Sequence, residues 1–324
     1  MDTVKIGIIG TGWIAEKMAI TLEGMEGVEA YAVSSRQLQT ARDFADRWGF
    51  TRAYGSYEEM LDDEEVELVY VATPHSHHFE HARMSLLKGK AVLCEKAFTA
   101  NARQAEELLN LAKEKELFIT EAIWTRYMPL SQTINDLVNG GIIGRPMTLS
   151  ANLGYPIGNR ERLRQPAGGA LLDLGVYALN FASMVFGTDV ERVTSTCVKT
   201  DTGVDAQNSI TLTFKDGKIA VLHSSMLSMT DRQGIISGDK GHLIIENINN
   251  PQRIRVVTED YKTVVVYNCP PQITGYEYQV YASMEALRNG WLESPYMPHT
   301  ETLRIMRMMD DLRREWGVRY PADE

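Results

Sequence analysis

The chain has 324 residues, long enough for two domains of ordinary size, and its 44% hydrophobic and 23% charged content is that of a globular protein. Its net charge of −10, with no basic stripe, excludes a nucleic-acid partner, because neutralising phosphates takes clustered Lys and Arg. No apolar run reaches the length of a membrane span, nothing at the N-terminus reads as a signal peptide, and three widely separated cysteines (Cys94, Cys197, Cys269) read as reduced thiols of a cytoplasmic protein.

The stretch Val4–Ala15 carries an apolar run, Ile6 to Ile9, that reads as a buried parallel strand and leads into Gly10-x-Gly12-x-x-Ala15. This spacing is the dinucleotide fingerprint. Gly10 allows a tight turn, Gly12 lets the backbone approach a pyrophosphate, and Ala15 permits close packing of helix on strand. The backbone of Gly10, Gly12, Trp13 and Ile14 would then hold the phosphates at the positive end of a helix.

A second strand is expected at Val28–Ser34 and a helix at Leu38–Trp48, followed by a short strand at Tyr54. Ser56 and Glu59 stand at capping-box spacing and open another helix. Leu68–Ala72 is a continuous apolar strand, a helix to Lys88 ends at Gly89, and Ala91–Glu95 is a fifth strand. Asn101 with Gln104 starts the next helix, and Phe118–Glu121 is a sixth strand. Repeated βαβ units predict a doubly wound parallel sheet, a Rossmann fold, over residues 1–122. Ligands of such sheets lie beyond the carboxyl ends of the strands.

Three strand ends carry candidate residues. After the second strand, about twenty residues past the glycines, an acid would hold the ribose of NAD. The chain has Ser34-Ser35-Arg36 instead, and Ser35 and Arg36 suit a 2′-phosphate, so NADP(H) is preferred, with NAD(H) possible. After the fourth strand come Ala72, Thr73, Pro74 and then His75, His77, His78 and His81. His77 and His81 have the spacing of a helical metal pair, but no supporting Cys or acidic ligand accompanies them, so no metal is expected and Ala72, Thr73, Pro74 and His78 are placed in a loop lining the cofactor. After the fifth strand, Glu95 and Lys96 point to opposite faces, and Lys96 is aimed where a nicotinamide would lie.

Beyond Ile123 the pattern changes without a flexible linker, giving a second domain over 123–324. Pro129–Asn139 reads as a helix closed by Gly140-Gly141. The loop Tyr155–Pro166 carries Arg160, Arg162 and Arg164, which could close over a substrate or reach the cofactor's phosphates. Gly168–Gly187 is helical by composition and almost wholly apolar, interrupted by Asp173, Tyr177 and Asn180 at i, i+4 and i+7, a polar stripe on one face that needs partners. Strand-like runs follow at Thr148–Leu153, Val190–Thr200, Ser209–Phe214, Ile219–Ser228, Leu243–Asn247 and Thr263–Tyr267, with a hairpin signal at Asp216-Gly217. They predict an α+β domain built on a large mixed, mostly antiparallel sheet with one open face. Helices at Tyr276–Arg288 and Thr300–Trp316 complete the chain.

With these residues in hand, the chain resembles the Gfo/Idh/MocA family of NAD(P)-dependent oxidoreductases, in the branch of dimeric dihydrodiol dehydrogenases and NADP-linked xylose dehydrogenases. The resemblance rests on GTGWIA at Gly10–Ala15, ATPHSHH at Ala72–His78, CEKA at Cys94–Ala97, EAIWTRYMP at Glu121–Pro129 and GGALLDLGVY at Gly168–Tyr177. One departure is Ala97, where the family usually has proline after the lysine. The resemblance implies that Tyr177 is the acid/base, that Lys96 lies beside it and lowers its proton affinity, and that Asp173 orients the substrate or the lysine. Glu95 and Trp124 are expected at the cofactor, and a homodimer is expected to form sheet to sheet. The implied reaction is hydride transfer at a hydroxyl or carbonyl carbon of a sugar, polyol or cyclic diol. The rival readings are an NAD-assisted glycoside hydrolase and a cofactor-binding regulator; Arg36 weighs against the first, and the Lys96/Tyr177 pair against the second.

Overall fold

The computed structural model describes residues 3–324. Through residue 122 strand and helix alternate: β1 (Val4–Ile9), α1 (Trp13–Glu23), β2 (Val28–Ser34), α2 (Leu38–Trp48), β3 (Arg52–Tyr54), α3 (Tyr57–Leu61), β4 (Leu68–Val71), α4 (His75–Leu87), β5 (Ala91–Glu95), α5 (Ala102–Glu114) and β6 (Ile119–Ala122). The six strands are parallel in the order β3-β2-β1-β4-β5-β6. All residues of β4, β5 and β6 are buried, as helices on both faces require. Two helix starts follow their sequence signals: Ser56 Oγ accepts from Glu59 N at 3.2 Å, and Asn101 Oδ1 from Gln104 N at 3.0 Å.

The second half contains α6 (Pro129–Asn139), β7 (Pro146–Gly154), the short helix α7 (Glu161–Arg164), a π-turn (Leu171–Gly175), α8 (Val176–Phe186), and strands β8 (Val190–Lys199) to β10, namely β9 (Asp205–Phe214) and β10 (Ile219–Ser225). Strands β11 (Gly234–Gly238), β12 (Gly241–Glu246), β13 (Arg253–Thr258) and β14 (Thr263–Asn268) precede the last helices, α9 (Glu277–Asn289) and α10 (His299–Trp316). The eight strands order as β14-β13-β12-β11-β7-β10-β9-β8, antiparallel except for the β7/β10 pair. One face is closed: Leu149, Ala151, Leu212, Ala220, Leu222, Ile236, Leu243 and Ile245 are buried under α8 and its neighbours. The row on the other face, in register across the sheet, is Val266, Arg255, Ile244, Ile235, Ser150, Val221, Thr211 and Thr194. Two of its four apolar members are open to solvent, Val221 at 47% and Val266 at 45%, and Ile235 and Ile244 are half-buried. No helix among the described residues is long and apolar enough to cross a membrane.

The chain divides into two compact units. One runs to Ile123 and takes in Gln272–Arg307; the other is Trp124–Pro271 with Met308–Glu324. Residues 123–324, read from sequence as a continuous second domain, therefore lend a segment back to the first unit. There Leu292 O accepts from Ile119 N at 3.1 Å on edge strand β6, and Glu277 takes three backbone N–H groups, of Ile273, Thr274 and Gly275. A further difference lies in Gly168–Gly187. It is not one straight α-helix: Val176 N–H reaches back five residues to Leu171 O, so Asp173 sits in a wider turn ahead of α8.

Candidate active site

In the first unit, the glycine turn has the shape a dinucleotide requires. Gly10 has φ +104°, and a Cβ there would lie 3.1 Å from Ala72 O. A Cβ on Gly12 would meet nothing within 4 Å, so the backbone at the start of α1 faces open space. Gly12 precedes α1 with no side-chain cap, leaving the first N–H groups of the helix, those of Trp13 and Ile14 among them, available to an anion. Ala15 is fully buried against the sheet. The residues present fit a dinucleotide pyrophosphate.

Ser35 is half-buried and Arg36 exposed just past β2. The Arg36 charge acts on Tyr57 and His81, so the three share one neighbourhood at the strand ends. Burial raises the Tyr57 hydroxyl above its ordinary value, with Arg36 pulling the other way. Burial lowers His81 to about 4, assisted by His77, His78 and Arg36. His81 Nδ1 lies 3.0 Å from Thr73 Oγ1, and its ring meets that of Tyr57 edge-on at 4.6 Å.

The stretch Ala72–His78, expected as a loop, is one only as far as Pro74; His75, Ser76, His77 and His78 form the first turn of α4. Pro74 stands at the N-cap, where its missing N–H costs nothing, and its carbonyl accepts from His77 N at 2.9 Å. His75, His78 and His81 point inward on one face of α4. His78 is fully buried, with Nδ1 2.8 Å from Ala97 O and Nε2 2.8 Å from Thr73 O. Burial pushes the ring down to about 4, against two carbonyl acceptors that each favour an N–H on the nitrogen facing them. His78 thus ties the end of β4 to the segment carrying Lys96. No cluster of three metal-ligating side chains occurs among the described residues.

Lys96 follows β5 and is half-buried, and its backbone N–H donates to Glu95 Oε2 at 3.2 Å. Glu95 is buried and also accepts from the Tyr70 hydroxyl. The Lys96–Ala97 peptide is cis, and Phe98 N donates to Glu121 Oε1 at 3.2 Å.

The remaining candidates belong to the second unit. Trp124 and Tyr177 are both buried, and the indole Nε1–H donates to the Tyr177 hydroxyl oxygen at 3.0 Å. Asp173 is held by Arg162, at 3.2 Å (Nη1 to Oδ1) and 3.5 Å (Nη2 to Oδ2). Arg164 pairs with Asp201. Arg126 Nε donates to Asn180 Oδ1 at 2.6 Å, while Asn180 Nδ2 donates to Val176 O at 2.8 Å. The polar stripe therefore finds its partners among protein side chains: Arg162, Trp124 and Arg126. Arg126 was missed in sequence, where its signal was a cation beside Trp124; Arg162 was named as a loop residue that could close over a substrate or reach the phosphates, but not as the partner of Asp173.

In the first unit a bare helix N-terminus behind a glycine turn and a cationic strand end suit a dinucleotide, and in the second unit a buried tyrosine receives a hydrogen bond on its oxygen. Comparison with known proteins agrees. Residues 4–122 match the oxidoreductase family with an NAD-binding Rossmann fold, and residues 131–244 match the GFO/IDH/MocA C-terminal domain. The chain is 32% identical to trans-1,2-dihydrobenzene-1,2-diol dehydrogenase of Mus musculus, covering 99% of each chain. It is 35% identical to the D-xylose 1-dehydrogenase (NADP(+)) of Hypocrea jecorina, over 98% of this chain and 93% of the relative. Among solved structures it superposes on a 3-ketoreductase from Actinomadura kijaniata, in complex with NADP and TDP-benzene, with TM-score 0.87, 26% identity, and 97% and 98% of the two chains covered. Matches to both halves of the family's architecture, and to relatives along almost its whole length, make this chain a member of the GFO/IDH/MocA oxidoreductase family.

Proposed function

We propose that this chain is an NADP-dependent oxidoreductase that moves a hydride between the cofactor and a hydroxyl or carbonyl carbon of a sugar, polyol or cyclic diol. When bound, the nicotinamide supplies the hydride acceptor or donor. Gly10, Gly12, Trp13 and Ile14 hold the pyrophosphate through their backbone, and Ser35 and Arg36 take the 2′-phosphate. Ala72, Thr73, Pro74, His78, Glu95 and Trp124 line or support the cofactor's place. Tyr177 exchanges the substrate's hydroxyl proton, Asp173, fixed by Arg162, orients the substrate, and Lys96 is the second residue assigned to the proton's path. Residues 1–122 serve the dinucleotide, and the unit built on the eight-stranded sheet serves the substrate.

The observation that carries this reading is the Trp124 donor on the Tyr177 oxygen at 3.0 Å. A donor in that position stabilises phenolate over phenol, which an acid/base needs and a packing tyrosine does not. Relatives named for a diol and for an aldose support the substrate class. The half-exposed apolar row on the open sheet face supports a homodimer formed there by a second copy of the chain, and the free cysteines Cys94, Cys197 and Cys269 support a cytoplasmic place.

The test is a screen of aldoses, polyols and cyclic diols for NADPH formation, with NAD as the parallel cofactor and Tyr177→Phe as control. Turnover with NADP by the wild type only is the expected result. Tight NADP binding with no turnover on any of them would replace catalysis with a regulatory role, and release of phenol from an aryl glycoside without added cofactor would replace it with hydrolysis.

A further inference from the structure

Asp205 opens β9 and is fully buried, yet none of the proposed chemistry uses it. Its Oδ2 accepts from Leu171 N at 2.7 Å and from Asn208 Nδ2 at 2.9 Å, and Asn208 Oδ1 in turn accepts from Ser224 Oγ at 2.9 Å. Its Oδ1 has no hydrogen-bond partner and presses on Gly169, where a Cβ would lie 2.2 Å away. Gly169 has φ +95°, so both its backbone and its lack of a side chain are required there. One residue earlier, Gly168 O accepts from the hydroxyl of Tyr320 at 2.8 Å. Tyr320 is itself buried, with the Arg313 guanidinium 4.1 Å from its ring centroid and Asp310 and Asp323 bound to that guanidinium.

These contacts converge on the start of the π-turn. Leu171 N is held by Asp205, and Leu171 O accepts from the N–H of Val176, the residue before Tyr177. A buried carboxylate is costly to keep, and burial pushes this one up to about 6 against the pull of Asn208 and Leu171 N. A group retained at such a cost, with one oxygen on the first N–H of the turn and the other on a glycine, is placed to fix where that turn begins.

We infer that Asp205, with the Tyr320 hydroxyl, is a positioning residue that sets the rotation and height of the Leu171–Phe186 segment and so the place of the Tyr177 hydroxyl. The inference rests on Tyr177 being the acid/base. Removing the carboxyl lets Leu171 shift, and Tyr177 follows through Val176. Misplacement of a reacting group by about 1 Å costs on the order of 100-fold in rate. An amide at 205 can still present an oxygen to Leu171 N, so Asp205→Asn keeps the restraint where Asp205→Ala loses it.

The experiment compares D205A, D205N, Y320F, Y177F and the D205A/Y177F double variant. Each is assayed for kcat, KM and NADP affinity at folded fractions matched by circular dichroism. D205A is expected to lose about 10- to 100-fold in kcat with NADP affinity within about twofold, and D205N to recover most of that loss. Y320F, which removes one hydroxyl and no packing, is expected to lose a smaller factor in kcat with the same unchanged affinity; it carries the test should D205A not fold. D205A/Y177F is expected to be no slower than Y177F. Wild-type kcat in D205A or, where D205A is unfolded, in Y320F would overturn the positioning role, as would a full further loss in the double variant. Wild-type rate in Y177F would overturn the acid/base assignment and with it this inference, whereas a dead Y177F beside an active D205A would overturn the positioning role alone.

Discussion

Replacing Trp124 by Phe removes one N–H from the Tyr177 oxygen and leaves an aromatic ring in place. The bond is 3.0 Å long and both side chains are less than a tenth exposed, Trp124 at 8% and Tyr177 at 7%, so water does not readily substitute for the lost donor. A hydrogen bond to a charged partner contributes about 1.5–3 kcal/mol, and each 1.36 kcal/mol is about one pKa unit. The donor favours the phenolate, so its loss disfavours the phenolate and raises the pH at which it forms. Below that pH the phenolate fraction, and with it kcat/KM for alcohol oxidation, falls about 10- to 100-fold, while rates at the alkaline plateau converge. The assay is NADPH formation from an accepted substrate, followed from neutral to alkaline pH for wild type and W124F, with thermal melts confirming a folded variant. A W124F profile superimposable on that of the wild type, or one lowered equally at every pH, would refute the reasoning, because either result makes Trp124 a packing residue only.

Other outcomes follow from the same geometry. Arg36→Ala is expected to weaken NADP by about 10- to 100-fold through loss of a charge-assisted hydrogen bond and to leave NAD within about twofold, as measured by titration of each cofactor. Val221→Glu, on the open sheet face where Val221 is 47% exposed, should convert the proposed homodimer to single chains in analytical ultracentrifugation while the melting temperature of each chain is little changed. His81, held near 4 in the fold by burial against an ordinary value of 6.5, makes stability fall as pH drops from about 6.5 towards 4, because only the unfolded chain takes up the proton in that window. His81→Gln should make this part of the stability profile shallower, leaving the slope that His78, also lowered to about 4, contributes, as measured by urea unfolding at successive pH values.

The first unit was legible because its signals are local. Parallel strands buried on both faces appear as unbroken apolar runs such as Leu68–Val71, and glycines with positive φ mark turns such as that at Gly10. In the second unit β11 and β13 escaped. Gly234–Gly238 is short and bounded by glycines, and Arg253–Thr258 alternates arginine with aliphatic residues in a way that reads as surface. The return of Gln272–Arg307 to the first unit is set by tertiary packing, which chain order does not encode. The π-turn escaped because hydrophobic period alone does not separate it from one more turn of α-helix in an apolar stretch. At the site, the residue types of Asp173, Tyr177 and Asn180 were legible but their partners were not. Arg162 lies eleven residues from Asp173 and Trp124 fifty-three from Tyr177, and only the folded chain brings them together. Asp205 was hidden for the opposite reason: an acid at a strand's first residue is normally a turn residue facing water.

The central claim is that the Tyr177 hydroxyl moves the substrate's proton while cofactor binding belongs to other residues. The most direct measurement is kcat/KM and NADP affinity of Tyr177→Phe side by side with the wild type, on whichever sugar or diol the screen selects. Tyr177→Phe is expected to lose about 100- to 10,000-fold in kcat/KM with NADP affinity unchanged within about twofold. Wild-type turnover by the phenylalanine variant would contradict it.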